Sequence, residues 1–296
     1  MFKINHNKDL NVLEIKDSKK QLFGKIHLND GASLQELTLG GHEIIKDLSP
    51  LSYETTYASS ILFPFANRVK DGYYTFNEKK YQLETNHEEE QNALHGFVFN
   101  KTFKKIKQDV SETFAEVVLE YIEENKSIGF PFTYSIQITY KFYKDNLSLS
   151  LFVKNTDTNT FPFTIGWHPY FLSKNLHESS LRFDSDQKLK IGKRNITTGI
   201  KKFDSSDPFK INNQQLDDCW VLNSEIIHFY TPNYKIAINS SEKNNFLQLY
   251  TPPKPNNIAI EPTTGVSDSF NNKIGLQTLN PNQSYKITWG LKISEN

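Results

Sequence analysis

The amino-acid sequence predicts an all-β fold in which large antiparallel sheets pack against each other. Apolar and polar residues alternate with a period of two along much of the chain, which is the pattern of half-buried strands. Turn-forming residues recur at short intervals, and no window of about 12 residues has a convincing helical period. The 22 Phe and 14 Tyr residues favour the same interpretation, because aromatic side chains favour strands.

The clearest predicted strands form a hairpin near the middle of the chain. From Tyr134 to Phe142 every second residue is apolar, and the same alternation runs through residues 147–153. Asp145-Asn146 lies between the two segments, and both residue types tolerate a left-handed backbone. We therefore expect a tight turn there and antiparallel pairing of the two segments.

Shorter segments with the same alternation predict strands towards both ends of the chain. Residues 22–28 are followed by Gly31 and by Gly40-Gly41, which predicts a strand, a turn and another strand. Residues 234–238 and 285–293 alternate in the same way. The strands are thus expected to run from near the start of the sequence to near its end.

The chain is expected to form a single domain over residues 1–296. Its length allows two domains, but all-β folds often run long as one domain. A cluster of prolines at residues 252–255 lies between two apolar segments, so we expect a loop within the domain and not a linker.

Composition favours a cytoplasmic protein that binds neither nucleic acid nor membranes. The 34 basic and 34 acidic residues give a net charge of zero, which argues against a polyanionic partner. Cys219 is the single cysteine, so an internal disulfide framework is excluded and a reducing compartment is favoured. The first residues lack the apolar run of a signal peptide, and no stretch approaches the roughly 18 apolar residues of a membrane span.

Five stretches place polar side chains among apolar ones, near the ends of predicted strands. The polar residues are Asn67 with Arg68, His95, His168, Asp217 and Glu261. Each also has a purely structural explanation. Arg68 could form a salt bridge, and His95 could be a satisfied core or surface group. Asp217-Asp218 could form a turn, and Glu261 could lie on an edge strand and reach water.

Two of these stretches are the most informative. His168 lies within residues 163–171, where Pro169 lacks a backbone donor and favours an extended backbone at the preceding residue. We therefore expect His168 in an extended segment at a sheet edge or strand end, flanked by large rings. Glu261 ends an apolar strand and precedes a proline. Because a carboxylate there is costly without a partner or a task, Glu261 is the best candidate for a general base.

Three chemistries are compatible with this set of residues. Glu261 and His168 could act as base and acid on a sugar. His95, His168 and Glu261 could form a metal site, although they lack the close spacing of common metal motifs. Asp217 and Glu261 could be the carboxylate pair of a glycosidase, which leaves the histidines without a role. The longest run of like charge, Glu88-Glu89-Glu90, is expected to be a solvated loop and not part of a site.

Four motifs follow one another along the chain. They are Asn67-Arg68-Val69 with Gly72, Leu94-His95-Gly96, Gly166-Trp167-His168-Pro169-Tyr170-Phe171 and Glu261-Pro262-Thr263. In sequence and in order they resemble the motifs of the aldose 1-epimerases, also called galactose mutarotases. The resemblance extends from about Ser59 to residues 279–285. The chain departs from the family at Phe97, where many members have a second glycine, and little of residues 172–215 aligns.

The resemblance implies a large antiparallel β-sandwich of the galactose-mutarotase (supersandwich) type, with the sugar in an open cleft. It implies interconversion of the α and β anomers of a free hexose, without a metal or an organic cofactor. By position, Glu261 would be the general base and His168 the general acid. A glutamate ionises well below neutrality, and a histidine can hold a proton near neutrality if a neighbour favours its charged form.

The same resemblance implies the residues that hold the sugar. They would be Asn67, Arg68, His95, Tyr170 and Asp217, with Gln248 added because its segment matches a Gln-x-Tyr-Thr motif of the family. A non-catalytic sugar sensor and a hexose-phosphate epimerase remain alternatives, although no clear second basic cluster for a phosphate is found. The expected partner is a hexose, and the expected assembly is a monomer or a homodimer.

Overall fold

The computed structural model describes residues 1–204, 207–243 and 245–295. Its strands in the first third of the chain are β1 (Phe2–Asn7), β2 (Val12–Asp17), β3 (Phe23–His27), β4 (Ser33–Leu39), β5 (His42–Ile45), β6 (Ile61–Leu62), β7 (Arg68–Val69), β8 (Tyr73–Phe76), β9 (Lys79–Gln82) and β10 (Ala93–Leu94). The middle third contains β11 (Lys104–Val110), β12 (Ala115–Glu123), β13 (Tyr134–Phe142), β14 (Asn146–Asn155), β15 (Phe161–Phe163), β16 (Gly166–Trp167), β17 (Tyr170–Leu172), β18 (Ser180–Phe183), β19 (Gln187–Ile191) and β20 (Thr197–Lys202).

The last third contributes eight further strands among the described residues. They are β21 (Phe209–Lys210), β22 (Asp217–Val221), β23 (Ile226–Tyr230), β24 (Lys235–Ser240), β25 (Phe246–Tyr250), β26 (Asn257–Thr263), β27 (Gln277–Leu279) and β28 (Ser284–Ser294). Helical structure among the described residues of the whole chain is limited to single turns. These are α1 (Tyr53–Thr56), α2 (Ser269–Asn272) and the 3₁₀ turns Lys70–Gly72, Val98–Asn100, Leu176–Glu178 and Lys193–Asn195.

Two large antiparallel sheets dominate the fold. The nine-stranded sheet has the order β11-β12-β13-β14-β28-β24-β23-β18-β21, and the eight-stranded sheet has the order β20-β19-β22-β25-β26-β16-β6. Strand β17 completes the second sheet by pairing with β26. Trp167 of β16 and Trp289 of β28 stack with ring centroids 6.5 Å apart, so the hydrophobic core lies between the two sheets.

A five-stranded antiparallel meander, β1 to β5, packs onto the same core. The hydroxyl of Tyr140, in β13, donates to the carbonyl of Ala32 at 2.9 Å, which ties the meander to the nine-stranded sheet. The short pairs β7–β10, β8–β9 and β15–β27 lie outside the large sheets. Of these, β7–β10 positions part of the site described below.

The structure confirms the predicted all-β fold class and the central hairpin. β13 and β14 pair antiparallel from Tyr134 opposite Asn155 to Phe142 opposite Leu147, and the predicted apolar residues of both strands are buried. The turn is one residue earlier than expected, because Asn146 already begins β14.

The shorter predicted strands are also present. Residues 22–28 contain β3, residues 234–238 overlap β24, and residues 285–293 lie within β28. Gly31 precedes β4 and Gly40-Gly41 follows it, while the proline cluster forms a loop between β25 and β26. None of the helices in the described parts of the chain has the length and apolar character needed to cross a membrane.

Candidate active site

A cleft of about 320 Å³ opens over one face of the eight-stranded sheet. The residues that the sequence predicts as catalytic or sugar-binding all line this cleft. They are Asn67, Arg68, His95, His168, Tyr170, Asp217, Gln248 and Glu261. The fold therefore brings the whole predicted set into one site, while the role of each residue stays a prediction.

The strand register explains why four of these residues share a face. Directly opposed residues in an antiparallel sheet point to the same side, and so do residues two apart along one strand. Two neighbouring rows across β22, β25, β26 and β17 follow this rule. The first row is Asp217, Tyr250, Ala259 and Tyr170, and the second is Cys219, Gln248 and Glu261. Both rows lie on the sheet face that carries the cleft, whereas alternate residues such as Trp220, Leu249 and Ile260 face the main hydrophobic core.

His168 lies in the short connection between β16 and β17. Both strands pair with β26, so His168 lies within the sheet and not at its edge. Of the two predicted positions, a sheet edge or a strand end, His168 occupies the strand end. Its backbone N–H donates to the carbonyl of Ser60 at 3.0 Å, and its carbonyl accepts from the N–H of Ser59 at 2.8 Å. These two bonds fix the backbone that carries the imidazole.

Glu261 lies on β26, between β25 and the β16–β17 pair. Its residue is only 2% exposed, so the explanation as an edge-strand glutamate that reaches water is wrong. Ile260 donates its N–H to the carbonyl of Pro169 at 3.3 Å. Pro262 lies two residues after Ile260, so its backbone nitrogen points to the same side of β26, where β16 and β17 are separated by a short connection. This position explains how a proline, which has no N–H to donate, fits inside the sheet. Glu261 Oε1 is 3.4 Å from Nε2 of His168.

Burial shifts the proton affinities of this pair in opposite directions. Burial, and next the charge of Asp217, raise the pKa of Glu261 well above its usual value. Burial lowers the pKa of His168 to about 4. A single proton held by the pair is therefore favoured on the Glu261 carboxyl. Both pKa shifts run against the expectation of an ionised Glu261 and a protonated His168 near neutrality.

His95 and Asn67 are positioned by the two-residue pair β7–β10. Leu94 lies opposite Arg68, and the N–H of His95 donates to the carbonyl of Asn67 at 2.9 Å. Asn67, His95 and Gly96 all have positive φ values, of 60°, 63° and 72°. The left-handed backbone turns both side chains away from the short ladder and into the cleft.

The His95 ring packs edge-on against His168, with centroids 5.2 Å apart, and lies 4.8 Å from the ring of Tyr57. Burial, and next the neighbouring His168, lower the pKa of His95 well below its usual value. Among the described residues, Nδ1 of His95 and Nδ1 of His168 are buried without a hydrogen-bond partner. Two neutral imidazoles thus each keep one ring nitrogen without a described partner.

Arg68 is held at the cleft by Glu90 and Asn67. Its Nε donates to Glu90 Oε2, its Nη2 donates to Glu90 Oε1 at 3.2 Å, and its Nη1 donates to Asn67 Oδ1 at 3.0 Å. The side chains of Arg68 and Glu90 are only 12% and 15% exposed. Arg68 thus does form the salt bridge of its structural explanation and also lines the cleft.

Asp217 and Gln248 meet on the floor of the cleft. Gln248 Nε2 donates to Asp217 Oδ1 at 2.8 Å. Asp217 begins β22, so the alternative explanation of Asp217-Asp218 as a turn is wrong. Asp218 lies on the other face of the strand and contacts Lys188 Nζ at 2.7 Å. Burial raises the pKa of Asp217, against the opposing effect of the Arg68 charge.

Tyr170 lines the cleft mainly with its ring. Its hydroxyl donates to the carbonyl of Thr56 at 3.1 Å, and its ring stacks on His168 at a centroid distance of 4.9 Å. Tyr170 therefore supports the His168 imidazole directly, in addition to any contact with a ligand.

The metal-site hypothesis gains no support from the geometry. Within the described ranges of the chain, no three His, Cys, Asp or Glu side chains are arranged to hold a metal ion, and this includes His95, His168 and Glu261.

The sequence did not predict the part played by residues 88–90. Glu88 and Glu89 are exposed, but they line the cleft, and Glu90 is largely buried against Arg68. The loop is solvated at Glu88 and Glu89, as expected, but it also borders the cleft, and the Glu90 side chain is not solvated. The contact between Arg68, at the start of β7, and Glu90 joins residues 22 positions apart, so no local sequence pattern could have predicted it.

Comparisons with known proteins show a family match along most of the chain. The family model described as aldose 1-epimerase matches residues 20–292. The uncharacterized protein YihR of Escherichia coli K12 is 23% identical over 278 residues, which cover 88% of this chain and 87% of that protein.

Solved structures show the same fold. A galactose mutarotase-like protein from Clostridium acetobutylicum superposes with a TM-score of 0.88 at 17% identity, covering 100% of this chain and 99% of that one. The galactose 1-epimerase from Lactobacillus acidophilus NCFM gives a TM-score of 0.81 at 19% identity, covering 100% and 98%.

Proposed function

The chain belongs to the aldose 1-epimerase family, and from that premise we propose that it interconverts the α and β anomers of a free hexose such as glucose or galactose. The observation that carries this proposal is the contact between His168 Nε2 and Glu261 Oε1, 3.4 Å apart at the bottom of a polar cleft. An acid and a base in this arrangement are what anomer exchange requires.

The two oxygens that exchange protons are bonded to the same carbon. To open the ring, the C1 hydroxyl loses a proton while the ring oxygen gains one, and the C1–O5 bond breaks. The C1–C2 bond then rotates, and closure runs in reverse on the other face of the aldehyde. Because the ring oxygen and the C1 oxygen are neighbours, two groups that lie side by side can serve both. His168 and Glu261 are such neighbours, not groups on opposite sides of the sugar.

Glu261 as base and His168 as acid, the roles that the family resemblance implies, satisfy proton balance. Ring opening with Glu261 as base and His168 as acid starts from a carboxylate and an imidazolium. It ends with a carboxylic acid and a neutral imidazole, which is the form that burial favours. Closure returns both protons, so one turnover visits both forms at constant net charge. The reaction moves protons and breaks and re-forms one C–O bond within the sugar. It transfers no electrons or groups to another molecule, and it therefore needs no redox or group-transfer cofactor.

Sugar hydroxyls need fixed polar partners, because an unpaired buried donor or acceptor costs about 1–3 kcal/mol. In this proposal Asn67, Arg68 and His95 hold one side of the sugar, and Asp217 with Gln248 holds the other. The rings of Tyr170 and Tyr250 cover its C–H face. All seven line the cleft.

Polarimetry tests the proposal directly. Fresh α-glucose or α-galactose should reach anomeric equilibrium faster with the protein than in buffer alone, in proportion to protein concentration. Sugar binding without acceleration would instead support the sensor alternative. Release of a chromogenic aglycone from a nitrophenyl glycoside would support the glycosidase alternative. Loss of activity with a chelator, restored by metal, would support the metal alternative.

A further inference from the structure

Arg68 is the single arginine or lysine among the described residues that line the cleft. The lining also contains five carboxylates, at Glu54, Glu88, Glu89, Asp217 and Glu261. Of the three lining histidines, His95 and His168 have pKa values below the usual value and add no charge near neutrality. An anionic ligand would thus depend on Arg68 for contact with a permanently charged cation.

Glu90 already occupies the part of Arg68 that best binds an anion. An arginine binds a phosphate or carboxylate most strongly through two parallel N–H groups of its planar fork. Here Nε and Nη2 both donate to the Glu90 carboxylate, while Nη1 donates to Asn67. Arginine has five N–H groups, so two remain. These two suit single hydrogen bonds to neutral hydroxyls, but they no longer form a free fork.

Glu90 is itself anchored from behind, so it is not free to swing away. Asn195 Nδ2 donates to Glu90 Oε1 at 2.8 Å, and Asn92 Nδ2 donates to Oε2 at 3.3 Å. Arg194 braces the same loop: its Nε donates to the carbonyl of Glu90 at 2.6 Å, and its Nη2 donates to the carbonyl of Gln91 at 3.0 Å. A ligand anion would have to displace a carboxylate that two further hydrogen bonds hold directly, on a loop that two hydrogen bonds from Arg194 hold in place.

We propose that Glu90, by engaging the fork of Arg68, makes this cleft select uncharged sugars over phosphorylated or carboxylated ones. Glu90 is thus a specificity-determining residue that acts through Arg68 and does not itself line the cleft among the described residues. The inference rests on the proposed anomer exchange for its natural substrate, and it rejects the hexose-phosphate alternative on electrostatic grounds.

The test compares kcat/KM for glucose and for glucose 6-phosphate, after subtraction of the uncatalysed rate. We expect the wild-type protein to favour glucose by at least about 100-fold. Glu90→Gln keeps one acceptor for Arg68 but removes the charge and frees one N–H of the fork. The preference should then narrow by roughly tenfold, mainly through KM for the phosphorylated sugar.

Glu89→Gln is the matched control, because it removes the same charge from the same loop. Glu89 is exposed and forms no described contact with Arg68. We expect it to change the preference much less than Glu90→Gln, and the small effect should vanish at high salt because exposed charges are screened. Equal effects of the two variants would show that general charge, and not the occupied fork, sets the preference.

A binding measurement separates this inference from the proposed function. Calorimetric titration with inorganic phosphate should give no binding to the wild-type protein and measurable binding to Glu90→Gln. If the wild type bound phosphate as well as the variant does, or used glucose 6-phosphate as well as glucose, the inference would be overturned. If no hexose were accelerated, the proposed function would fail, while the phosphate titration would still decide the role of Glu90.

Discussion

Nε2 of His168 lies 3.4 Å from Oε1 of Glu261, and both residues are at most 5% exposed. The pair joins two parts of the chain that are far apart in sequence, because β16 and β17 both align with β26. At this distance and burial, we expect the two groups to share one proton and to act as a unit.

Removing either member of the pair should remove most of the activity. General acid or base catalysis typically contributes about 10²–10⁴-fold, and groups that act as a unit are not additive. We therefore expect Glu261→Gln and His168→Gln each to lower kcat for glucose mutarotation by that range, and the double variant to be little worse. Polarimetry gives the rates, and far-UV circular dichroism checks the fold. Full activity in either single variant would contradict the assignment.

Asp217 and Asp218 offer a comparison between adjacent residues of the same type. Asp217 lines the cleft and accepts from Gln248, whereas Asp218 points to the other face of β22 and contacts Lys188. Because a hydrogen bond to a charged group contributes about 1.5–3 kcal/mol, Asp217→Asn should raise KM for glucose roughly tenfold or more.

Asp218→Asn is the control for this substitution. It should leave KM for glucose unchanged and at most slightly lower the melting temperature, since it loses a contact with Lys188. The same rise of KM in both variants would mean that Asp217 acts through the strand and not through the sugar.

The sequence predicted the strands and the catalytic pair for different physical reasons. The alternation in residues 134–142 reports burial on one side of a strand, so β13 could be predicted from local pattern alone. Glu261 stood out because a carboxylate in an apolar run is costly without a partner or a task, whereas its pairing with His168 as base and acid came from the family resemblance. Their separation of 3.4 Å, however, depends on how strands align across the sheet, which the sequence does not determine locally.

Long-range contacts account for what sequence reasoning missed. Glu90 contacts Arg68 and Asn195, from loops that are far apart along the chain and have no periodic pattern. Asn195 also falls within residues 172–215, where the family resemblance is weakest. The proton affinities of His168 and Glu261 could not be predicted either, because they depend on burial, and burial is a property of the folded sheet.

Gly96 is expected to be indispensable for positioning His95. Its φ is +72°, and a Cβ atom there would lie 2.2 Å from the carbonyl oxygen of Phe63. Gly96→Ala must therefore move backbone as well as adopt a strained conformation. We expect it to lower the free energy of unfolding by more than about 3 kcal/mol, as judged by urea denaturation, and to reduce activity in the fraction that folds.

Gly41→Ala separates the cost of a left-handed backbone from the cost of a steric clash with neighbouring backbone. Gly41 also has a positive φ, of +84°, but the nearest atom to a Cβ there is 3.5 Å away, in the Gln21 side chain. This variant should lose only about 1 kcal/mol, from the left-handed backbone, and should keep its activity. If the two alanine variants were equally stable, the close approach of Gly96 to Phe63 would not matter.

The pH dependence of kcat/KM for glucose should report the gain and loss of the proton that His168 and Glu261 are expected to share. The active pair holds one proton, so activity falls when a second proton binds or when the first is lost. Because the pKa of His168 is lowered to about 4, kcat/KM for glucose should decline on the acid side only near pH 4. On the alkaline side it should decline only well above the ordinary pKa of a glutamate. An acid limb near pH 6.5 would mean that the imidazole titrates as if it were exposed.

Stability should respond to pH differently in the pair and in its single variants. Between about pH 4.5 and 6.5 the unfolded chain carries one proton on this pair, on the histidine. The folded pair also carries one proton, so the wild-type pair contributes no slope in this window. In Glu261→Gln only the unfolded state binds a proton there, so stability should fall as pH drops. In His168→Gln only the folded state does, since the pKa of Glu261 is raised, so stability should fall as pH rises.

Urea midpoints of the three proteins across this window test the two opposite pKa shifts, because all other groups cancel in the comparison. A fully developed difference in proton binding of one corresponds to about 1.4 kcal/mol per pH unit. The two variants should therefore diverge from the wild type with slopes of opposite sign. Slopes of the same sign, or none, would show that burial does not shift the pKa values of His168 and Glu261 in opposite directions. In that case the preference for the proton on the Glu261 carboxyl would lose its physical basis.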